Sequence, residues 1–453
     1  MEYLIKNKFA AVLLFLLVSA NTMFAQTNRR LSLQEAVQLG IDNSKSLKVS
    51  SAKVDQADGA LSEAKMMQYP DLKVSASYLR INSPNVDLKL KLGGGSDSSG
   101  SGNSGESPKI NQVMYGMATA SLPLFSGLRI RNGIESAKYL KKAAELDAQN
   151  DKDALIQNTI AAYYNLYKAQ AAVKLVNENL RQAQQRVTDF ANLETNGLIA
   201  RNDLLKVQLQ ESNIELALMD AENNLKISNY NMDLMLGIDE NTVLELDTTD
   251  IGRVPKIQPI EYWENSAMSS RSDYLALQQR QHASAAGVKS AKGEYYPSLA
   301  LTGGYVAADI PNALVVTNAL NVGVGLSYNL ASLYKNESKV KQAKAQQTQL
   351  EWSAMQMTDG IKMEIHSAYQ NYLESLKKIE VYQKAVDQAN ENYRITKNKY
   401  DNSLATTTDL LDADVAQLQA GINFEYAKAD AVVAYNKLYE TAGLINGMAP
   451  ANK

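Results

Sequence analysis

Between Gly127 and Leu193 the chain runs for about seventy residues with no proline and one interior glycine, Gly133. Leu166, Ala169, Val173, Val176, Leu180, Ala183, Val187 and Phe190 recur there at alternating gaps of three and four. That spacing is the apolar seam of a helix packed along other helices. At 1.5 Å per residue the helix is roughly 100 Å long, against about three turns for an ordinary globular helix. A rod of that length needs partners along its whole length, and this excludes most compact folds.

The seam occurs twice. Shifting it by 206 residues gives Ile379, Tyr382, Val386, Ala389, Tyr393 and Thr396. The flanks repeat as well. Asn196-Gly197-Leu198 with Asp203-Leu204-Leu205 parallels Asn402-Ser403-Leu404 with Asp409-Leu410-Leu411. Ala64-Lys65 and Tyr69-Pro70 parallel Ala291-Lys292 and Tyr296-Pro297. The chain is therefore a tandem duplication of a unit of about 200 residues, too long a period for a small-repeat solenoid. The units are expected at 26–236 and 259–445, with an inter-repeat segment at 237–258 and a tail at 446–453. The segment and the tail are expected to wrap the middle of the rod.

Each unit changes period once. A capping box at Ser32 and Glu35 starts a short helix. An alanine-rich helix then runs from Ser46 to Gln68 and stops before Pro70, where the preceding residue resists the α region. Leu72, Val74, Ala76 and Tyr78 next alternate with Lys73, Ser75 and Ser77, the signature of a strand at about 71–82. Its partner is expected at about 112–125, where Gly116, Ala118 and Ala120 share one face. The second unit has a helix at about 271–294 and strands at about 298–307 and 321–330, with a loop near Asp309 to Thr317 between them. Val322, Val324, Leu326, Tyr328 and Leu330 oppose Gly323, Gly325, Ser327 and Asn329. One greasy and one small, polar face suits a membrane barrel wall. A half-buried strand of a soluble sandwich has the same pattern. The Gly/Ser-rich stretch 93–107 has loop composition.

Long helices follow each hairpin, at 127–193 and 333–400, and each turns back through a shorter return helix. Leu204, Val207, Ile214, Leu218, Ala221, Leu225 and Met232 form the first return seam, interrupted by Glu211. A return helix and the helix before the hairpin together nearly match one rod, so the two are expected to stack end to end along it.

Residues 1–25 read as a secretory signal peptide: Lys6 and Lys8, an apolar run from Phe9 to Ala20, and Ala25 before Gln26. An N-terminal anchor is the other reading, though the run is short for a spanning helix. Beyond residue 25 no apolar run is long enough to cross a bilayer as a helix, so embedding must use strands. Four strands cannot close a barrel, for which about eight is the minimum. Unpaired edge amides in lipid cost several kcal/mol each, so the chain is expected to oligomerise, and three copies supply twelve strands.

The net charge is −3; losing residues 1–25 takes away two Lys and one Glu and leaves −4. With no basic cluster this argues against nucleic acid. The absence of cysteine excludes disulfides and thiolate metal sites. Ser62-x-x-Lys65 lacks companion catalytic motifs. His282 and His366 are isolated. Gly93-Gly94-Gly95 lacks a strand–helix frame for a phosphate. Met355, Met357 and Met363 hint at soft-metal traffic or simply fill gaps in a seam. No enzyme constellation and no cofactor site is expected.

The order helix, strand hairpin, very long helix, return helix, duplicated behind a signal peptide, resembles the TolC-type outer-membrane efflux proteins. Leu122-Pro123-Leu124-Phe125-Ser126-Gly127 at the strand-to-rod junction carries the resemblance. So do the tips Asn196-Gly197-Leu198-Ile199-Ala200 and Tyr400-Asp401-Asn402-Ser403-Leu404. It covers nearly the whole mature chain. It implies a mostly α homotrimer in the outer membrane, with a 12-strand barrel continuous with a periplasmic α-helical tunnel. The implied function is a passive duct of a tripartite efflux or type I secretion system. A periplasmic membrane-fusion adaptor would join it to an inner-membrane pump. The alternative is a non-conducting coiled-coil scaffold anchored by a small barrel.

The resemblance also implies roles for residues. Asp409 and Asp412 match aspartates that ring the tunnel entrance, and Asp203 is the first-unit equivalent of Asp409. Clustered in three chains, such carboxylates should have raised pKa values and attract cations. Read without the family, they are first-turn acids that complement a helix dipole. Tyr400 matches a gate position. Ala405 stands where the family type member has a gate arginine, and Arg201 is a candidate substitute. Asn196, Gly197, Leu198, Ala200, Ser403, Leu404 and Ala405 form the tips expected to meet the adaptor; an ordinary αα-hairpin turn looks the same.

Overall fold

The computed structural model describes residues 28–82, 110–248, 257–311 and 314–448. The expected signal peptide, the Gly/Ser-rich stretch and the end of the tail lie outside the described residues. The first repeat comprises β1 (Asn28–Leu31), α1 (Leu33–Asn43), α2 (Lys45–Met66), β2 (Asp71–Arg80), β3 (Gln112–Phe125), α3 (Arg129–Thr195) and α4 (Arg201–Leu236). After β4 (Val243–Leu246) the second contains α5 (Ile260–Ser270), α6 (Ser272–Gly293), β5 (Ser298–Ile310), β6 (Leu314–Ser327), α7 (Ser332–Asp401) and α8 (Thr407–Thr441). A 3-10 turn, Ile445–Met448, follows. The rods are single helices of 67 and 70 residues. The duplication extends to backbone detail: Ser44 separates α1 from α2 at φ −60, ψ 119, and Arg271 separates α5 from α6 at φ −65, ψ 119.

The four long strands form one antiparallel sheet in the order β2-β3-β5-β6, so the two hairpins lie side by side. Cross-strand partners share a face. One row joins Val74, Ala118, Tyr305 and Leu320, and the next but one joins Leu72, Ala120, Gly303 and Val322. The other face joins Lys73, Thr119, Gly304 and Asn321, then Ser121, Thr302 and Gly323. The small residues Gly116, Ala118 and Ala120 therefore lie on the apolar face, with Leu72 and Val74, whereas Gly323 and Gly325 lie on the polar one. Proline at 123 withholds a ladder donor, and the β3–β5 register shifts just after it.

The second hairpin differs from the alternation-based reading. In place of a loop from Asp309 to Thr317, β5 reaches Ile310 and β6 starts at Leu314. A register shift between Val306 and Ala308 and a left-handed Asn318, φ 58, absorb the extra residues and let pairing resume at Val316, Val315 and Leu314. The bulge breaks the period-2 pattern. At the other end β6 stops at Ser327, three residues short of Leu330.

The described chain divides into two compact units, each drawn from both repeats. One takes residues up to Ser51 with Asp147–Leu275 and the chain from Met357 onward. Its largest core gathers Leu31, Ile156, Tyr163, Leu166, Met232, Leu236 and Leu244. Here β1 pairs in parallel with β4, a strand inside the inter-repeat segment that four residues of sequence do not announce. The Tyr163 hydroxyl lies 3.0 Å from the carbonyl oxygens of both Leu31 and Asp247. Gln170 donates to the Leu244 carbonyl at 2.7 Å. A second core packs Trp263, Ala267, Ile361, Ile365 and Leu438. At the end of the second repeat Ile445 is fully buried, and Asn446, the first residue of the tail, donates to Asp153.

The other unit, Ala52–Leu146 with Ala276–Gln356, holds the sheet and the adjoining helical segments. Its buried helix positions are mostly small: Ala143, Ala276, Ala283 and Ala286. Lys141 pairs with Asp58 at 2.7 Å, and Ser136 donates to the Ala283 carbonyl at 2.9 Å. Two left-handed residues, Gly127 (φ 62) and Leu128 (φ 64), turn the end of β3 into α3.

Candidate functional site

Both rods end in the same way. Gly197 stands at φ 72, its N–H donates to Glu194, and the Leu198 N–H donates to Leu193. Ser403 stands at φ 58, its N–H donates to Tyr400, and the Leu404 N–H donates to Lys399. This 6→1 and 5→2 pair of bonds is the Schellman arrangement. Asn196 and Asn402 each donate a side-chain N–H to the carbonyl four residues back, at 2.7 Å. The tight turns push Leu198 and Leu404 outward, 70% and 77% exposed. Ala200 is exposed and Ala405 half-buried. Each tip thus presents an uncovered leucine on a hydrogen-bonded turn.

Beneath the tips the two hairpins meet. Phe190 stacks on Tyr400 with ring centroids 5.4 Å apart and planes 8° from parallel. Leu204 and Val207 of α4 and Leu411 of α8 close the same cluster. Burial pushes the Tyr400 phenol above its ordinary value, and the charges of Asp203 and Asp401 act in the same direction. Asp203 and Tyr400, expected from opposite tips, are therefore brought into one electrostatic neighbourhood.

The other expected entrance residues have local partners. Asp409 completes a capping box: its carboxylate accepts from the Thr406 N–H at 2.8 Å and from the Thr406 hydroxyl at 2.7 Å. These bonds hold the Asp409 carboxyl below its usual range. The physical reason is that within one chain the Thr406 donors dominate and stabilise the charged form. Asp412 is exposed. Lys206 reaches Asp203 at 3.3 Å. Arg201 pairs with Glu194 at 3.3 Å, across its own turn.

A second cluster, unforeseen from the sequence, joins α3, α7 and α8. Arg186 of α3 is 9% exposed, and its guanidinium donates to both carboxylate oxygens of Asp414 on α8, each at 3.1 Å. The same guanidinium donates to the Tyr393 hydroxyl of α7 at 3.1 Å, and Asn179 donates to Asp414 at 3.3 Å. Burial alone would lower the Arg186 pKa, but the paired carboxylate overrides it and the value is raised. The seam reading places Val173, Leu180 and Val187 inward, yet these are half-buried, whereas Ala172, Asn179 and Arg186 are buried. Hydropathy misses this row because two of its members are polar, and they are buried only because partners on another helix satisfy them. The usable signal is the seven-residue spacing of 172, 179 and 186, which has no meaning until Asp414 stands opposite.

Comparison with known proteins agrees with this architecture. The profile of the family described as "Outer membrane efflux protein" matches residues 36–238 and 263–444, both repeats. The outer membrane protein TolC of Escherichia coli (strain K12) is 23% identical over 408 residues, spanning 83% of this chain and 80% of that protein. The outer membrane efflux protein BepC of Brucella suis biovar 1 is 22% identical over 330 residues, 71% of this chain and 70% of its own length. Among solved structures, CusC superposes with a TM-score of 0.76 at 17% identity, covering 91% of this chain and 92% of that one. VceC of Vibrio cholerae gives 0.74 at 18%, covering 91% and 96%. The duplicated hairpins, their paired tips and the four-stranded sheet sit within a profile that spans both repeats: the chain belongs to the outer membrane efflux protein family and is an outer-membrane channel of an efflux system.

Proposed function

We propose that three copies of this chain close a twelve-stranded barrel in the outer membrane and bundle their rods into a passive periplasmic duct. A periplasmic membrane-fusion adaptor meets the hairpin tips and joins the duct to an inner-membrane pump. The observation that carries this reading is the sheet. Among the described residues it has two unpaired edges, β2 and β6, and an apolar face on which Val74 is 86% and Leu320 75% exposed. Such a face needs lipid, and lipid does not tolerate open edges. Pairing β2 of one copy with β6 of the next removes every edge.

The duplication supports a ring from the helical side. On α8, Leu411, Ile422 and Val433 pack against clusters that include the first-repeat rod. The residues 206 earlier on α4 are Leu205, Leu216 and Ile227, and all three are exposed. Equivalent apolar rows call for equivalent cover, and the second-repeat rod of the neighbouring copy supplies it. On this reading residues 26–236 and 259–445 are quasi-equivalent staves of the wall.

At the entrance, Asp203, Asp409 and Asp412 form the cation-attracting ring, with Tyr400 and Arg201 beside it. Asn196, Gly197, Leu198, Ala200, Ser403, Leu404 and Ala405 are the adaptor surface, with Leu198 and Leu404 as its apolar anchors. The cysteine-free chain makes the test direct. Single cysteines placed along β2 and β6 should cross-link copies in outer membranes into closed trimers. Purified protein should then conduct ions across planar bilayers, and Asp409→Ala with Asp412→Ala should weaken block by multivalent cations. Cross-linking without conductance would instead favour the closed scaffold.

A further inference from the structure

The end of α6 is wedged between the starts of both rods. Ser290 donates to the Arg129 carbonyl at 3.3 Å, and Asn336 donates to the Ala291 carbonyl at 2.8 Å. That packing gathers Arg129, Arg131, Lys292 and Lys335 at one level, where the helices meet the four-stranded sheet. All four are exposed, and none makes an ion pair among the described residues. Glu294 lies at the same level and is taken by Lys339 at 2.8 Å. Neither rod has an acid in its first turn; Glu135 and Glu337 enter only in the second. A helix dipole favours acids at the N-terminus and cations at the C-terminus. It therefore accounts for Lys292 at the end of α6, and it runs against Arg129, Arg131 and Lys335. Like charges gathered in this way raise a local positive potential on a chain whose net charge is −3.

The same level carries exposed aromatic and apolar side chains: Tyr296 and Tyr334 with Phe125, Leu128, Leu330 and Leu333. Phe125 pairs with Leu299 and Leu299 with Leu326, so this belt borders the apolar face of the sheet. Tyrosines are enriched where a bilayer meets water, and the long stems of Lys and Arg carry their charges to the same level. The opposite border of that face has no cation excess: Arg80 lies opposite Gln112, and Asp309 opposite Met114 and Val315. A zwitterionic headgroup brings its own cation beside its phosphate, whereas an anionic one leaves the phosphate charge to the protein. We propose that the rod-side border binds anionic phospholipids of the leaflet it meets, with Arg129, Arg131, Lys292 and Lys335 on the phosphates and Tyr296 and Tyr334 beneath them. The bound lipid fixes the depth of the sheet at the junction with the rods. This inference rests on the membrane reading of the sheet given above and adds a lipid class to it.

The test places a fluorophore in the belt. Tyr334→Trp is introduced into the full chain, and the parent, which has only Trp263 and Trp352, supplies the background. Both are reconstituted in phosphatidylcholine vesicles containing either brominated phosphatidylglycerol or brominated phosphatidylcholine as quencher. The phosphatidylglycerol should associate beside Trp at 334 at least about threefold more strongly at low salt. The preference should fall towards one at about 1 M salt. Arg129→Gln, Arg131→Gln, Lys292→Gln and Lys335→Gln together should abolish it while quenching by phosphatidylcholine persists, which shows that the variant is folded and inserted. Lys292→Arg with Lys335→Arg should retain it. Equal association of the two lipids in the Tyr334→Trp protein, or a preference that survives the fourfold neutralisation, would overturn the proposal. Absence of quenching by either lipid would remove the membrane reading of the sheet, and the lipid site with it.

Discussion

The carbonyl oxygen of Gly293, at the end of α6, occupies the space where a side chain on Gly127 would begin, and the carbonyl oxygen of Gly127 does the same to Gly293. The strand-to-rod turn of one repeat thus touches the helix-to-strand turn of the other, backbone to backbone. Gly127 is also left-handed, at φ 62. Gly127→Ala combines a left-handed cost of about 1–2 kcal/mol with a backbone clash, so a loss of at least about 3 kcal/mol is expected. Folded yield and the unfolding temperature in detergent are the readouts. A variant as stable as the parent would show that this junction relaxes freely.

The two tips should respond differently to alanine. Gly197 is at φ 72 with open space around its missing Cβ, so Gly197→Ala meets only the left-handed cost, about 1 kcal/mol. Ser403 already bears that cost at φ 58, so Ser403→Ala should be neutral within about 0.5 kcal/mol. Thermal unfolding of the two variants side by side decides the matter.

Asp233 is fully buried near the C-terminal end of α4, and its carboxyl is pushed up to about 6, chiefly by burial, against a hydrogen bond from Asn229 at 2.8 Å. The folded state holds this proton more tightly than the unfolded chain, whose value is near 3.8. The charged form is therefore a penalty, absent below about pH 4, growing as pH rises, and complete above about 6. Asp233→Asn should remove it, stabilising the protein at pH 7.5 by roughly 2 kcal/mol and leaving stability at pH 4 nearly unchanged. Unfolding curves of both proteins between pH 4 and 8 would test this, and parallel profiles would refute it.

Removing one partner of the Arg186–Asp414 pair leaves the other charge buried. Asp414→Asn or Arg186→Gln should each cost about 3–5 kcal/mol, whereas Arg186→Met with Asp414→Leu should cost far less than the sum of the two. A double-mutant cycle measured by denaturant unfolding gives the coupling directly. Additive losses would mean that the two side chains do not interact in solution.

At the Asp409 end of α8 the pH dependence has the opposite sign. The carboxyl is held low by the Thr406 donors, so its capping contribution is full above the ordinary carboxylate range and is lost as pH falls through the lowered value. Thr406→Ala removes the hydroxyl and keeps the backbone N–H, so it should weaken that acid sensitivity and speed amide exchange in the first turn of α8 by about fivefold, as loss of a helix cap does. Exchange rates of that turn at pH 3 and pH 6, in parent and variant, would reveal it. Equal pH dependence in the two proteins would show that the capping box does not form.

The sequence by itself determined the long helices, the duplication, the strand hairpins and the turn positions at 197 and 403. These are properties of periodicity and of single residues: a seam repeats every three or four positions, a strand alternates, and a left-handed turn favours Gly. Only the tertiary structure decided what depends on pairing across hundreds of residues. It put β3 beside β5, set Gly116 on the apolar face, paired β1 with β4, and buried Arg186 because Asp414 and Tyr393 converge on it from other helices. It also gave Asp409 a local capping role that the spacing of acids does not reveal. Burial of a polar side chain is decided by its partner, and a partner 228 residues away leaves no mark on the local pattern.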